Sequence, residues 1–302
     1  MTSPLRGVYA PVLTPFNDQL EPDVERFIDH ARWLVDNQAG LAIFGTNSEA
    51  ASLSVDERIN LTDRLLEAGI PAASLMPGTG ACSITDAVTL TRHAVESGAP
   101  GVLVLPPFYY KGVSDEGLFA YYAELIERVG DDRLGIYLYH IPQVSHAPIS
   151  LALIERLRKA YPQTVLGIKD SSGDWNNSKA IIDAFDADGF AVFPASESLL
   201  SRAMPHGAAG CISATVNVNP AGIHAVYAGW NGPDGEALQA QADAIRQIFQ
   251  VLPMIPAMKY VKSQKTGDAQ WQNVRPPLTR LAPDVAEKLV RDLEAVSFAV
   301  TE

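Results

Sequence analysis

The sequence predicts an α/β fold, a closed (β/α)8 TIM barrel with a C-terminal helical extension. Three observations predict it. Short apolar, β-branched runs recur eight times at a spacing of roughly 25 to 35 residues, amphipathic helical stretches lie between them, and several runs are almost continuously apolar. Strands alternating with helices build βαβ units and a parallel sheet, and unbroken apolar runs suit strands covered on both faces. Eight repeats favour a barrel over an open doubly wound sheet. No Gly-x-Gly-x-x-Gly follows the first run, which weakens a dinucleotide-binding reading.

Taken in order, strands are expected at 7–16, 40–45, 71–80, 101–107, 134–140, 165–170, 190–196 and 207–215. Helices are expected between them. Val24, Phe27, Ile28, Ala31, Leu34 and Val35 have helical spacing over 23–37, and Ser54 with Glu57 makes a capping box ahead of Ile59, Leu61 and Leu65. Stretches 84–97 and 115–129 stop at Gly98 and Gly130, residues suited to the left-handed conformation that ends a helix. Segments 149–160, 176–185 and the short 198–204 continue the alternation. Beyond the eighth strand, 220–230, 234–252, 255–265 and 283–298 read as helices of an extension packed on the barrel. The domain reading is a barrel over 1–218 and a helical extension of the same domain over 219–302.

Composition narrows the partners. A hydrophobic content of 47% with 19% charged residues suits a globular protein with a substantial core. The net charge of −12, from 23 basic and 35 acidic residues, opposes nucleic acid or an anionic membrane as partner. No apolar run approaches the ~18 residues that span a bilayer. The opening MTSPLRGVYAPVLT lacks a basic region followed by a long apolar segment, so no secretory signal is expected. Two distant cysteines, Cys82 and Cys211, suit a reducing, cytoplasmic setting.

The chemistry is sought at the carboxyl ends of the strands, where such barrels place their active sites. The sixth run, VLGIKD, ends in Lys169, a residue type almost never buried without a partner. Burial disfavours an ammonium and frees the amine to form a Schiff base with a carbonyl; the alternative is a strand that ends at Ile168 and leaves Lys169 in water. Other ends carry GTNSE (45–49), PPFYY (106–110), YLYHIP (137–142) and ASES (195–198). A Gly-Thr turn offers backbone N–H groups and a hydroxyl to a carboxylate, or simply caps a helix. A phenol near a lysine can relay its proton, although a buried tyrosine also serves a core. The six histidines show no metal-ligand spacing, and no metal site is expected. Asp170 and Glu197 do not read as a glycosidase pair, and there is no Gly-x-Ser-x-Gly.

With these residues in place, the chain from about Gly7 to Leu293 resembles the dihydrodipicolinate synthase / N-acetylneuraminate lyase family of pyruvate-dependent class I aldolases. GTNSE matches the family's Gly-Thr/Ser-Thr-x-Glu turn, GIKD its Schiff-base strand, YHIP its Tyr-Asn-x-Pro, and GCISATVNVNP its eighth-strand segment. The resemblance implies an imine between Lys169 and the keto carbon of pyruvate or a 2-keto acid, without a cofactor. It makes Tyr139 the general acid/base, and gives the C1 carboxylate to Thr46 with the N–H groups of Thr46 and Asn47. Tyr109, or else Tyr110, becomes a second phenol reaching across a dimer interface, and Ile212 packs on the keto acid. A homo-oligomer follows, a dimer or a tetramer.

Departures bear on the substrate. In the synthase an arginine two residues after the YNxP proline holds a second carboxylate; here that position is Val144, preceded by Gln143. The distal pocket then draws on Asn47, Ser48, Gln143, Ser171, Ser196 and Glu197, groups suited to sugar-acid hydroxyls. The expected function is therefore a lyase acting on 2-keto-3-deoxy acids by retro-aldol cleavage or dehydration. The alternatives are the synthase itself and a non-catalytic barrel that binds a keto acid.

Overall fold

A computed structural model describes residues 4–300; the first three residues of the opening read for a secretory signal lie outside them. The described strands are β1 (Gly7–Ala10), β2 (Gly40–Leu41), β3 (Val102–Val104), β4 (Ile136–His140), β5 (Val165–Asp170), β6 (Ala191–Pro194) and β7 (Gly210–Ile212). The α-helices are α1 (Val24–Asp36), α2 (Val55–Glu67), α3 (Ile84–Glu96), α4 (Asp115–Val129), α5 (Pro142–Ser145), α6 (Leu151–Ala160), α7 (Trp175–Phe185), α8 (Leu200–Ala203), α9 (Pro220–Gly229), α10 (Gly235–Gln250), α11 (Met254–Thr266) and α12 (Pro283–Ala295). The chain divides into two compact units: one takes the segment up to Gly7 with Pro71–Ile212, the other Val8–Ile70 with the chain from Ser213 onward.

In the first unit β3, β4, β5 and β6 pair in that order, all parallel, with α4, then α5 and α6, then α7 between successive strands. Every residue of β4 and β5 is buried, as strands covered on both faces must be. Gly167 is required by close packing. A Cβ there would lie 2.4 Å from the Ala191 carbonyl oxygen and 2.7 Å from the Tyr137 ring. The Tyr137 hydroxyl accepts the Leu5 N–H at 2.6 Å, which makes this tyrosine a satisfied core residue.

The expected third strand, 71–80, does not form. Ala72–Ser74 is one turn of 3-10 helix, and the rest makes only isolated bridges, at Leu75 and, in parallel with Leu103, at Gly78. The Pro77 carbonyl accepts the Leu103 N–H (2.8 Å) and the Thr79 N–H donates to the Leu103 carbonyl (3.0 Å). Pro77 has no N–H to extend the ladder, so the segment runs beside β3 without becoming a strand.

In the second unit β1 and β2 are parallel, and helix boundaries follow their caps. Asp23 accepts the Arg26 N–H at the start of α1 (3.0 Å), and Ser54 and Glu57 exchange the expected pair of bonds (3.1 and 2.8 Å) before α2. β1 is shorter than expected because Pro11 interrupts it; the Asn217 amide donates to the Pro11 carbonyl (3.0 Å) and its oxygen accepts the Leu13 N–H (2.9 Å). Helices α10, α11 and α12 bury Ile245, Phe249, Met258, Val261, Leu289 and Leu293 in one core with Leu13, Val218 and Trp271. No helix among the described residues is long and apolar enough to cross a membrane.

Candidate active site

Lys169 and Tyr139 stand side by side. They are register partners on β5 and β4, and both are buried, at 2% and 3% exposure. The Lys169 Nζ lies 3.4 Å from the Tyr139 hydroxyl and 4.4 Å from the centre of its ring. Strand β5 runs through Lys169 to Asp170 instead of stopping at Ile168, so the amine faces protein. A neutral lysine amine can attack a carbonyl, and a neighbouring phenol can pass a proton between that nitrogen and the oxygen that leaves as water.

The residues flanking this pair hold the strand ends in place. Asp170 is buried and bonded at both oxygens: Oδ1 accepts the Ser172 N–H (2.9 Å), and Oδ2 accepts from the Asn177 amide (3.0 Å) and the Ser178 hydroxyl (2.6 Å). It closes the loop into α7. His140 accepts the Ile149 N–H at Nδ1 (3.0 Å), and burial, against the pull of Asp170, lowers its pKa. The Ser171 N–H donates to the His140 carbonyl at 2.7 Å.

The remaining expected residues of this unit vary in exposure. The Gln143 amide donates to the Ser172 carbonyl, spanning the loops after β4 and β5. Ser196 caps the turn after β6 by accepting the Ser198 N–H (3.3 Å), and Glu197 and Ile212 are buried. Tyr109 and Tyr110 are 75% and 74% exposed and meet edge to face at 5.5 Å. Val144, in α5, is 56% exposed.

In the second unit Thr46, Asn47 and Ser48 form one turn of 3-10 helix. The Gly45 N–H donates to the Ser48 hydroxyl (3.2 Å), and the Thr14 hydroxyl donates to the Ser48 carbonyl (2.7 Å). Phe44 and Glu49, on either side, are left-handed, with φ of 61° and 57°. Such positions cost of order 1–3 kcal/mol in a non-glycine residue and persist where the surroundings enforce them.

The enforcing contact was not foreseen from the sequence. Glu49 is buried and receives the Lys259 ammonium of α11, while its other oxygen accepts the Arg275 N–H (3.1 Å). Lys259 also donates to the Asn273 carbonyl (2.8 Å) and lies 4.5 Å from the Phe16 ring centre. Burial lowers the Lys259 pKa to about 8 against the opposing attraction of Glu49. Its signal in the sequence was the one that marked Lys169, a lysine inside an apolar run, MIPAMKYV. With both hydrogen-bond partners acceptors, Lys259 is held as a donor and offers no lone pair. No group of three or more His, Cys, Asp or Glu side chains that could hold a metal comes together among the described residues.

The chain as a whole has known counterparts. A family model described as the dihydrodipicolinate synthetase family matches residues 4–296. An uncharacterized DapA-like lyase of Chloroflexus aurantiacus is 34% identical over 299 residues, covering 98% of each chain. The crystal structure of dihydrodipicolinate synthase from Agrobacterium tumefaciens superposes with a TM-score of 0.88 at 30% identity, covering 96% of this chain and 99% of that one. YagE of E. coli K12, solved in complex with pyruvate, has the same fold at a TM-score of 0.88 and 22% identity, over 97% and 99% of the two chains. The fold class is thus the predicted α/β barrel with a C-terminal helical segment.

Proposed function

The chain belongs to the dihydrodipicolinate synthetase family, and we propose that this lyase acts on 2-keto-3-deoxy acids with a neutral, hydroxylated tail through a pyruvate enamine on Lys169. The observation that carries the reading is the buried Lys169 amine 3.4 Å from the Tyr139 hydroxyl. The amine adds to the C2 carbonyl and expels water as the imine forms. Tyr139 moves the protons of that exchange. A base then takes the C4 hydroxyl proton as the C3–C4 bond breaks, which leaves the enamine and releases an aldehyde; in the dehydrating variant a C3 proton is lost and the protonated C4 hydroxyl departs as water instead.

In this reading the Thr46 hydroxyl and the N–H groups of Thr46 and Asn47 hold the C1 carboxylate. Ile212 packs on the keto acid, and Ser48, Gln143, Ser171, Ser196 and Glu197 serve the tail. Tyr109 supplies a second phenol to a partner copy, and its exposure beside Tyr110 supports a homodimer or homotetramer. The enzyme works in the cytoplasm with no cofactor beyond the imine. Synthase activity is the second reading, favoured by the name of the Agrobacterium relative.

Incubation with pyruvate and borohydride, followed by peptide mass spectrometry, tests the proposal. A reduced adduct is expected on the peptide that holds Lys169. An adduct on Lys259, or none at all, overturns it.

A further inference from the structure

Stability is a weak reason for a buried pair such as Glu49 and Lys259. Desolvation of the two charges offsets much of their attraction, and apolar side chains of similar size often serve as well. What apolar side chains cannot do is fix a direction. Glu49 is 4% exposed and Lys259 is fully buried. One Glu49 oxygen receives the Lys259 ammonium and the other the Arg275 N–H (3.1 Å), so the carboxylate is held at both oxygens. Each donor is itself held. Lys259 also donates to the Asn273 carbonyl (2.8 Å), and the Arg275 guanidinium donates to the carbonyls of Leu20 (2.8 Å) and Ser52 (2.6 Å).

The backbone of Glu49 completes the turn Thr46–Ser48. The Glu49 N–H donates to the Thr46 carbonyl and the Ser48 N–H to the Gly45 carbonyl, both at 3.1 Å. The first N–H groups of a helical turn, by contrast, meet no carbonyl within it. Their direction depends on Glu49, whose φ of 57° is free for a glycine and costly for a glutamate. Return to an ordinary helical φ would rotate the chain by roughly 120° at this residue and swing the turn against the segment Ala50–Ser52 that follows. At the other end Phe44, with φ of 61°, stacks on Phe27 of α1 at 6.3 Å between ring centres. The turn is pinned on both sides, and the Glu49 side is pinned by charge.

An N–H group binds a carboxylate well only when it points at it, because hydrogen bonds weaken steeply as the angle closes. On the reading that gives the C1 carboxylate to the N–H groups of Thr46 and Asn47, we infer that Glu49 is a positioning residue. Clamped between Lys259 and Arg275, it aims the turn so that the site selects a 2-keto carboxylate over a neutral keto compound. Through Lys259, helix α11 takes part in substrate choice.

Pyruvamide is the probe, because it has the keto group of pyruvate and a neutral amide in place of the carboxylate. The rate of cyanoborohydride trapping at Lys169 is measured with each compound on the full chain, and the pyruvate-to-pyruvamide ratio is divided by the same ratio for butylamine in solution, which removes intrinsic reactivity. The wild-type chain should favour pyruvate. In Glu49→Gln with Lys259→Met the ratio should fall at least about tenfold, equivalent to about 1.4 kcal/mol. Urea unfolding separates this from a structural role: the double variant should be more stable than Lys259→Met alone, and the ratio should stay low although stability returns. Glu49→Gln alone, which keeps one oxygen for Lys259 and sets an amide against the Arg275 N–H, carries the test if the double variant does not fold. A fall of less than about tenfold in the variant tested overturns the positioning role and leaves the carboxylate reading standing. A wild-type ratio no higher than that of butylamine overturns the carboxylate reading and the positioning role with it.

Discussion

Lys169 and Tyr139 face each other across β5 and β4, with the amine 3.4 Å from the phenol oxygen. The phenol is buried, and a substitution that keeps the ring keeps its packing. Tyr139→Phe should therefore fold as the wild type and lose only the proton relay. Activity on the true keto acid should fall about 10²–10⁴-fold, the usual range for a general acid–base group. Steady-state kinetics with a thermal unfolding control measures this; a loss below about tenfold would give the phenol a structural role.

Lys169→Ala should abolish borohydride trapping altogether, because Lys259, a second buried lysine, is already bonded to Glu49 and the Asn273 carbonyl. Circular dichroism should show a retained fold. Trapping that moves to another lysine would reassign the nucleophile.

The Glu49–Lys259 pair makes a separate prediction about stability. Removing one partner of a buried ion pair leaves the other charge uncompensated, at about 3–5 kcal/mol. Lys259→Met should cost about that much in urea unfolding, and Glu49→Gln in the same chain should recover a good part of it. Independent, additive losses would mean that the two side chains do not act as a pair.

Acid should weaken the fold through His140 and His30. Burial is the leading cause of a lowered pKa at both, so the unfolded chain binds protons that the folded chain does not. Stability contributed this way is present above about pH 6.5, the ordinary histidine pKa, and is lost as the pH falls below it. His140→Asn keeps an acceptor for the Ile149 N–H and removes one titrating group. Urea midpoints at two pH values, one on each side of 6.5, should differ less for His140→Asn than for the wild type.

Local chemistry explains what the sequence made legible. Asp23, Ser54, Ser83 and Ser114 cap α1, α2, α3 and α4, and each could be found by its residue type and spacing. Lys169 was legible because an ammonium has no ordinary place in a parallel strand. Lys259 escaped notice because helices commonly carry lysines on a solvent face, and only tertiary packing places this one against Glu49. The third strand misled because 71–80 has the composition of a strand, whereas Pro77 has no N–H for a ladder and the segment makes only isolated bridges. The contact of His30 Nε2 with Asn217 joins residues distant in the chain, and no local pattern announces it.

Substrate choice turns on Val144. It is exposed in α5, at the position where the resemblance to the synthase calls for an arginine, and a valine offers no donor. Its neighbour Gln143 already gives its amide to the Ser172 carbonyl, so it is a poor substitute for a guanidinium. A hydrogen bond to a charged group contributes about 1.5–3 kcal/mol, and bidentate arginine–carboxylate pairs are among the stronger contacts. Without that fork, kcat/KM for pyruvate with aspartate semialdehyde should lie about 10–100-fold or more below that for a polyhydroxylated 2-keto-3-deoxy acid. Val144→Arg should not reverse the order, because an arginine without supporting contacts is not held where the carboxylate would sit. A coupled assay with both substrate types decides it: a preference for aspartate semialdehyde in the wild-type chain would make the synthase reading the correct one.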